Sequence, residues 1–199
     1  MALNTGTLDA TRVTIPGSVA QIIDYLKYAI NGILFHRGVY PSEDFLVEKR
    51  FGLNLLLTVN DSVEDYIEST LIRLKEWISQ GRVSHVVVVL IDEDDGHTIE
   101  RWVFDISVRV VATTLSENDL IREMNAVMKD IITPTFLPSI ETPMVFNILT
   151  YAKDDVDIPD GWEATHPHSV IDGEHDTLKA FNSLHHTLGL SVVYRDEEQ

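Results

Sequence analysis

The strongest constraint on this chain is a pair of extended stretches separated by an acidic turn. Val83 to Ile91 is strand-like, with Val86-Val87-Val88-Val89 at its centre. Four consecutive β-branched residues favour a pleated, packed surface over a helix. Thr98 to Ile106 follows, with Trp102, Phe104 and Ile106 alternating onto one face. Between them, Asp92-Glu93-Asp94-Asp95-Gly96 has the composition of a turn. The spacing predicts a β-hairpin.

Three helices are expected around it. The first opens at Pro16-Gly17-Ser18, where Ser18 and Gln21 have capping-box spacing. Val19, Ile22, Ile23, Leu26, Ile30, Ile33 and Leu34 follow helical spacing, and Gly38 ends it. Few charges interrupt this helix, so it should be central and mostly buried. Val39-Tyr40-Pro41 breaks it, and Leu53 to Val59 reads as a short extended stretch. The second helix starts at Asp61 with Glu64 at the capping-box position, carries Val63, Tyr66, Ile67, Leu71, Leu74, Trp77 and Ile78, and closes at Gly81. Glu64 and Asp65 near its start and Arg73 and Lys75 near its end complement the helix dipole. The third helix starts at Ser116, with Asp119 in capping-box register and Leu115 and Leu120 placed for a hydrophobic staple. Its stripe is Leu120, Ile121, Met124, Val127, Met128 and Ile131, and Thr133-Pro134 ends it.

Met144 to Tyr151 alternates again, with Met144, Phe146 and Ile148 on one face. The C-terminal region has two readings. Leu178, Phe181, Leu184 and Leu188 have helical spacing, but Leu184, His186, Leu188, Leu190, Val192 and Tyr194 alternate as a strand. Val192, Val193 and Tyr194 favour the strand. A segment whose pattern supports two answers has a weakly specified register.

Composition narrows the function. Of 199 residues, 44% are hydrophobic, and 15 Lys and Arg stand against 32 Asp and Glu. The net charge is −17, of which −15 lies beyond Ile91. Such a balance disfavours binding to a polyanion and steers basic partners. There is no cysteine, which excludes disulfides, thiol catalysis and cysteine zinc sites. No secretory signal is visible at Met-Ala-Leu-Asn-Thr-Gly, and no apolar run approaches the roughly 20 residues of a membrane span.

Candidate chemistry is sparse. His166-Pro167-His168 and His185-His186 lack the i, i+4 spacing of a helical zinc pair. The runs Asp92 to Asp95 and Asp154 to Gly161 lack the closing Glu of an EF-hand loop. No phosphate-binding glycine motif or nucleophile elbow is present. These absences lead to the expectation of no catalytic residue, cofactor or metal; the enzymatic alternative, a hydrolase built on His166, His168 and neighbouring carboxylates, would require a bound metal. Trp77 and Trp102 suit a core. Trp162, in a polar and acidic stretch, needs a surface to cover, either its own domain's or a partner's.

An ordered series carries a resemblance. Val39-Tyr40-Pro41-Ser42-Glu43-Asp44-Phe45, Leu74-Lys75-Glu76-Trp77, Val86 to Val89, Glu100-Arg101-Trp102-Val103-Phe104-Asp105 and Thr135-Phe136-Leu137-Pro138 are followed by Trp162-Glu163, Leu178-Lys179-Ala180-Phe181, His186 and Val192-Val193-Tyr194-Arg195. From about residue 13 to 195 the chain resembles the HORMA-domain spindle assembly checkpoint adaptors. It is less similar to the HORMA subunit of a translesion DNA polymerase, the alternative reading.

The resemblance implies an α+β fold in which three helices pack on a mixed, mainly antiparallel sheet. Residues 1–199 would form a single domain, with 1–151 as its core and 152–199 as a mobile safety belt. In an open form the belt covers the sheet edge beside Met144 to Tyr151. In a closed form it pairs elsewhere, and a partner's peptide takes that edge. The resemblance assigns peptide binding to Trp77, Met144, Phe146, Ile148, Trp162 and Tyr194, and dimerisation of open and closed conformers to Lys129 and Phe136. The implied partners are the coiled-coil kinetochore receptor mitotic arrest deficient one and the Cdc-twenty activator of the anaphase-promoting complex, with no nucleic acid or membrane. The implied location is nucleus, kinetochore and cytoplasm, and the implied effect is delay of anaphase.

Overall fold

The computed structural model describes residues 16–108, 116–133, 137–152, 158, 160, 162–183 and 186–195. Helix α1 (Pro16–His36) is the centre of the molecule. Val19, Ile22, Tyr25, Leu26, Tyr28, Ala29, Ile30, Ile33 and Leu34 are all buried, so the helix is enclosed around most of its circumference. That agrees with its scarcity of charge. It ends in a Schellman motif. Gly38 has φ +70°, and the Gly38 and Val39 amides donate to the Phe35 and Leu34 carbonyls at 3.1 and 3.0 Å.

Its start differs from the capping box expected there. Ser18 lies inside the first turn, and its hydroxyl bonds to Ser183 Oγ (2.6 Å) and His186 Nδ1 (2.7 Å). The side chain joins two distant segments instead of capping its own helix.

Strands β1 (Phe45–Arg50) and β2 (Leu53–Thr58) form a separate antiparallel hairpin against α1. Only β2 is visible in the sequence pattern, because five of the six β1 residues are exposed and do not alternate. Helix α2 (Asp61–Ser79) is capped one residue before the expected position, by Asn60, whose side chain accepts from the Val63 amide at 3.4 Å. Arg73 and Lys75 stop short of its last turn. Gly81 closes it in a second Schellman motif, with φ +69°.

Strands β3 (Val83–Asp92) and β4 (Thr98–Val108) form the expected hairpin. The Asp92 carboxylate accepts from the Asp94 and Asp95 amides to hold its turn. Helix α3 (Glu117–Ile132) begins with the expected Ser116 cap, which accepts from the Asp119 amide at 3.2 Å. Leu115 and Pro134 lie outside the described residues.

Strand β5 (Met144–Ala152) pairs with the free side of β3, and β8 (His186–Tyr194) with the free side of β4. Short strands β6 (Glu174–Thr177) and β7 (Phe181–Asn182) lie against β8. The sheet order is β5-β3-β4-β8-β6. Every described pairing is antiparallel, so the described sheet is not mixed.

Val86, Val88 and Leu90 join the main core, while Val87 and Val89 form a second cluster with Leu149. Successive strand residues point to opposite faces, so the valine run of β3 is buried on both. Of the two readings of the C-terminal region, the strand prevails over 186–194. His186, Leu188, Leu190, Val192 and Tyr194 are buried in strict alternation.

Candidate functional site

The outer side of β5 borders a cleft of about 860 Å³. Residues 147–152 form its floor, one wall is α2, and the other wall is the segment that includes Trp162 to Pro167. Helical spacing brings Tyr66, Thr70 and Trp77 to the α2 wall. Trp77 meets Trp162 edge to face, with centroids 5.1 Å apart and planes at 69°. This is the surface that Trp162 covers. The aromatic pair clasps the C-terminal segment to the helix across the cleft.

Tyr66 closes one stretch of the strand edge. Its hydroxyl accepts from the Ile148 amide at 3.1 Å and donates to Asn147 Oδ1 at 2.6 Å. Burial raises its pKa, and the Ile148 N–H, by favouring the phenolate, opposes that shift. The ring also packs edge-on against Phe146 at 5.5 Å. Thr150 lines the same floor, and its Oγ1 is buried without a hydrogen-bond partner among the described residues.

At the end of the cleft, the Tyr151 hydroxyl accepts from Arg101 Nη2 at 3.0 Å and donates to the Pro167 carbonyl at 3.5 Å. His168 (φ 49°) and Asp172 (φ 54°) take left-handed backbone conformations where the chain turns toward β6. At Gly173 a side chain would collide with Val170 and Val193, 2.8 and 3.0 Å from where its Cβ would stand. The crossing is closely packed there.

The far end of the segment is held by other means. Asn182 N donates to Glu123 at 2.7 Å, and Lys179 Nζ pairs with Asp130 at 3.1 Å, tying the region of β7 to α3. Ser18, Ser183 and His186 form a buried cluster. The Tyr194 hydroxyl lies 3.1 Å from both Glu174 and Asp176. Burial first, and then these carboxylates, raise its pKa. Beside it in register is Glu100. This carboxylate is buried, accepts from Trp102 Nε1 at 2.9 Å, and is paired with Arg37 at 2.5 Å. Arg37 Nη2 also donates to the Pro138 carbonyl at 2.7 Å.

Of the residues singled out in the sequence, Trp77, Ile148 and Trp162 come together at the cleft. Met144, Phe146 and Tyr194 do not line it. Met144 pairs with Asp92 at the other end of β5. Phe146 turns its ring onto Tyr40 and Tyr66. Tyr194 sits on β8, three strands from β5. Lys129 is exposed on α3, and Phe136 lies outside the described residues. Sequence reasoning assigned Tyr66 to the apolar stripe of α2. Its hydroxyl end, four residues before Thr70 on one helix face, is the signal that it also faces a polar edge.

This architecture defines a class. The HORMA domain family matches residues 18–187, and the chain belongs to that family. Within it, the chain falls in the MAD2 branch and has the spindle checkpoint role of that branch. It is 32% identical over 193 residues to the mitotic spindle checkpoint component mad2 of Schizosaccharomyces pombe, covering 93% of this chain and 95% of the other. It is 31% identical over 190 residues to the human mitotic spindle assembly checkpoint protein MAD2A, covering 92% and 93%. The likeness to zebrafish MAD2B is weaker, 28% over 143 residues, covering 68% and 66%. A chain in a crystal structure of the mitotic checkpoint complex superposes with a TM-score of 0.86 at 33% identity, covering 90% of this chain and 99% of that one. The Caenorhabditis elegans protein HTP-2, solved bound to a HIM-3 closure motif, shares the fold with a TM-score of 0.75 at 14% identity, covering 98% and 99%.

Proposed function

We propose that this chain is an adaptor without catalytic chemistry, which takes a peptide as an added strand on the outer edge of β5 and holds it beneath residues 152–199 acting as a safety belt. One observation carries the reading. The outer side of β5 has no partner strand among the described residues, and it opens into a cleft whose opposite wall is the C-terminal segment. A free antiparallel edge supplies main-chain hydrogen bonds, and alternate side-chain pockets supply specificity. Trp77, Ile148 and Trp162 furnish apolar contacts, and the acidic C-terminal half suits a basic, apolar segment.

The pairing of β8 with β4 corresponds to the closed arrangement. In the open arrangement the same segment would cover β5 instead. Two packings within a few kcal/mol allow such a switch. A peptide beneath a closed belt leaves only after local unfolding, so the complex is long-lived. The partners fitting this role are segments of the kinetochore receptor mitotic arrest deficient one and of the Cdc-twenty activator, whose capture delays anaphase. Open and closed copies would pair through the region of Lys129 and Phe136. The locations that go with this reading are the nucleus, kinetochores and cytoplasm.

Backbone hydrogen exchange over residues 144–199 tests this, with and without a synthetic peptide from the Cdc-twenty activator. Slowed exchange along β5, with slowed exchange from Trp162 to Pro167, is the expected result. Unchanged exchange on β5 at saturating peptide, or release within seconds, overturns it.

A further inference from the structure

The outer edge of β5 is not uniformly open. In an antiparallel pair, residues alternate between those that bond their partner and those whose N–H and C=O point away. The Ile148 amide points away from β3, since it donates to the Tyr66 hydroxyl at 3.1 Å and to Asn147 Oδ1 at 2.8 Å. The period of two puts Thr150 in the same outward-facing class. Their surroundings differ. Tyr66 and Asn147 bond each other at 2.6 Å and both accept from the Ile148 amide, whereas no side chain among the described residues covers the main chain of Thr150, which lines the cleft. The Tyr66 ring is packed against Phe146, so α2 holds the hydroxyl over the strand.

We propose that the Tyr66–Asn147 pair is a stop that fixes where a captured strand can pair. The strand bonds at Thr150 and is excluded from Ile148, so a side-chain cap sets its register. This rests on the peptide-capture reading above and adds a specificity device to it. A slip of one residue exchanges the two faces of a strand. The stop therefore selects which peptide side chains face Trp77 and Trp162. It also covers one amide of a vacant edge, which limits pairing with unrelated chains.

The test is residue-resolved amide exchange with the Cdc-twenty-derived peptide, on the full chain, for the native protein, Tyr66→Phe, and Tyr66→Phe with Asn147→Ala. Native β3 exchange at Val87 verifies that each variant is folded. In the native protein the peptide should slow Thr150 by about tenfold or more and leave Ile148 unchanged, as expected for one new hydrogen bond. In the double variant it should slow both, because Ile148 is uncovered. Tyr66→Phe keeps the ring and should give an intermediate result. Equal slowing of Thr150 and Ile148 in the native protein overturns the stop alone. Ile148 remaining unresponsive in a folded double variant also overturns it. Slowing elsewhere on β5 without Thr150 overturns the stop alone, and no slowing anywhere on β5 in any form overturns peptide capture and the stop together.

Discussion

The two margins of the six-stranded sheet are finished by opposite means. At the β5 margin, the described cap is side-chain chemistry from Tyr66 and Asn147 over one amide, beside an open cleft. At the other margin, β8 pairs with β4 over its whole length, β6 and β7 cover β8, and α3 carboxylates hold the connecting backbone. The comparison teaches where the chain has placed its specificity and its stability. On the peptide-capture reading, the β5 margin is left incomplete to receive a strand, with two side chains covering one of its amides. A margin that must hold the C-terminal segment is built from main-chain bonds and buried side chains.

The largest expected effect lies beneath the closed margin. Arg37 and Glu100 are a buried ion pair, with side chains 8% and 1% exposed. Removing one member leaves the other charge buried alone, which costs about 3–5 kcal/mol. Arg37→Ala should lower the urea midpoint accordingly, with β8 losing more exchange protection than β5. Equal loss at both margins would mean that the pair supports the whole core and not the β4–β8 side.

A smaller change should act on the open margin. Trp162→Ala removes the Trp77 contact, an aromatic pair worth about 0.5–1.5 kcal/mol beyond its buried area. Exchange at residues 162–167 should quicken, and the activator peptide should dissociate about tenfold faster, while β8 stays unchanged. Faster exchange along β8 would show that the two margins are coupled.

The smallest effect serves as a control away from both margins. Burial, with the Glu48 carboxylate, pushes the pKa of Tyr28 from 10.0 to about 12. The neutral phenol is favoured in the folded protein, so its contribution is complete below pH 10. It declines as pH rises toward 12. Tyr28→Phe should flatten that limb of a stability profile, and both margins should lose protection together in the native protein.

Much of the fold was legible because burial and period coincide. The alternation from His186 to Tyr194, the hairpin at Asp92 to Gly96, and the capping chemistry at Ser116 all match the structure. Strand β1 was not legible, since Leu46 and Val47 face solvent and its stability comes from pairing with β2. Ser18 has the signature of a cap, but the sequence does not reveal that Ser183 and His186 arrive beside it. The candidate site divides the same way. Trp162 stood out because an indole in polar surroundings requires a cover. Tyr194 was grouped with it as a large aromatic fit for a peptide pocket, but the sequence does not reveal that its strand lies three places from β5.

The pairing of Glu100 with Tyr194 has a consequence in time. β3 and β4 are joined by a short turn and can meet early, but β8 is remote in sequence and must close a long loop first. Until it does, Trp102, Phe104 and Ile106 lie in a strand whose second side is bare. A refolding chain that pairs β3 with β4 before β8 arrives would expose that bare side, and self-association would then compete with completion in proportion to concentration. Recovery from denaturant should be limited by how long that side stays bare, not by how stable the finished molecule is, and dilution should raise the yield.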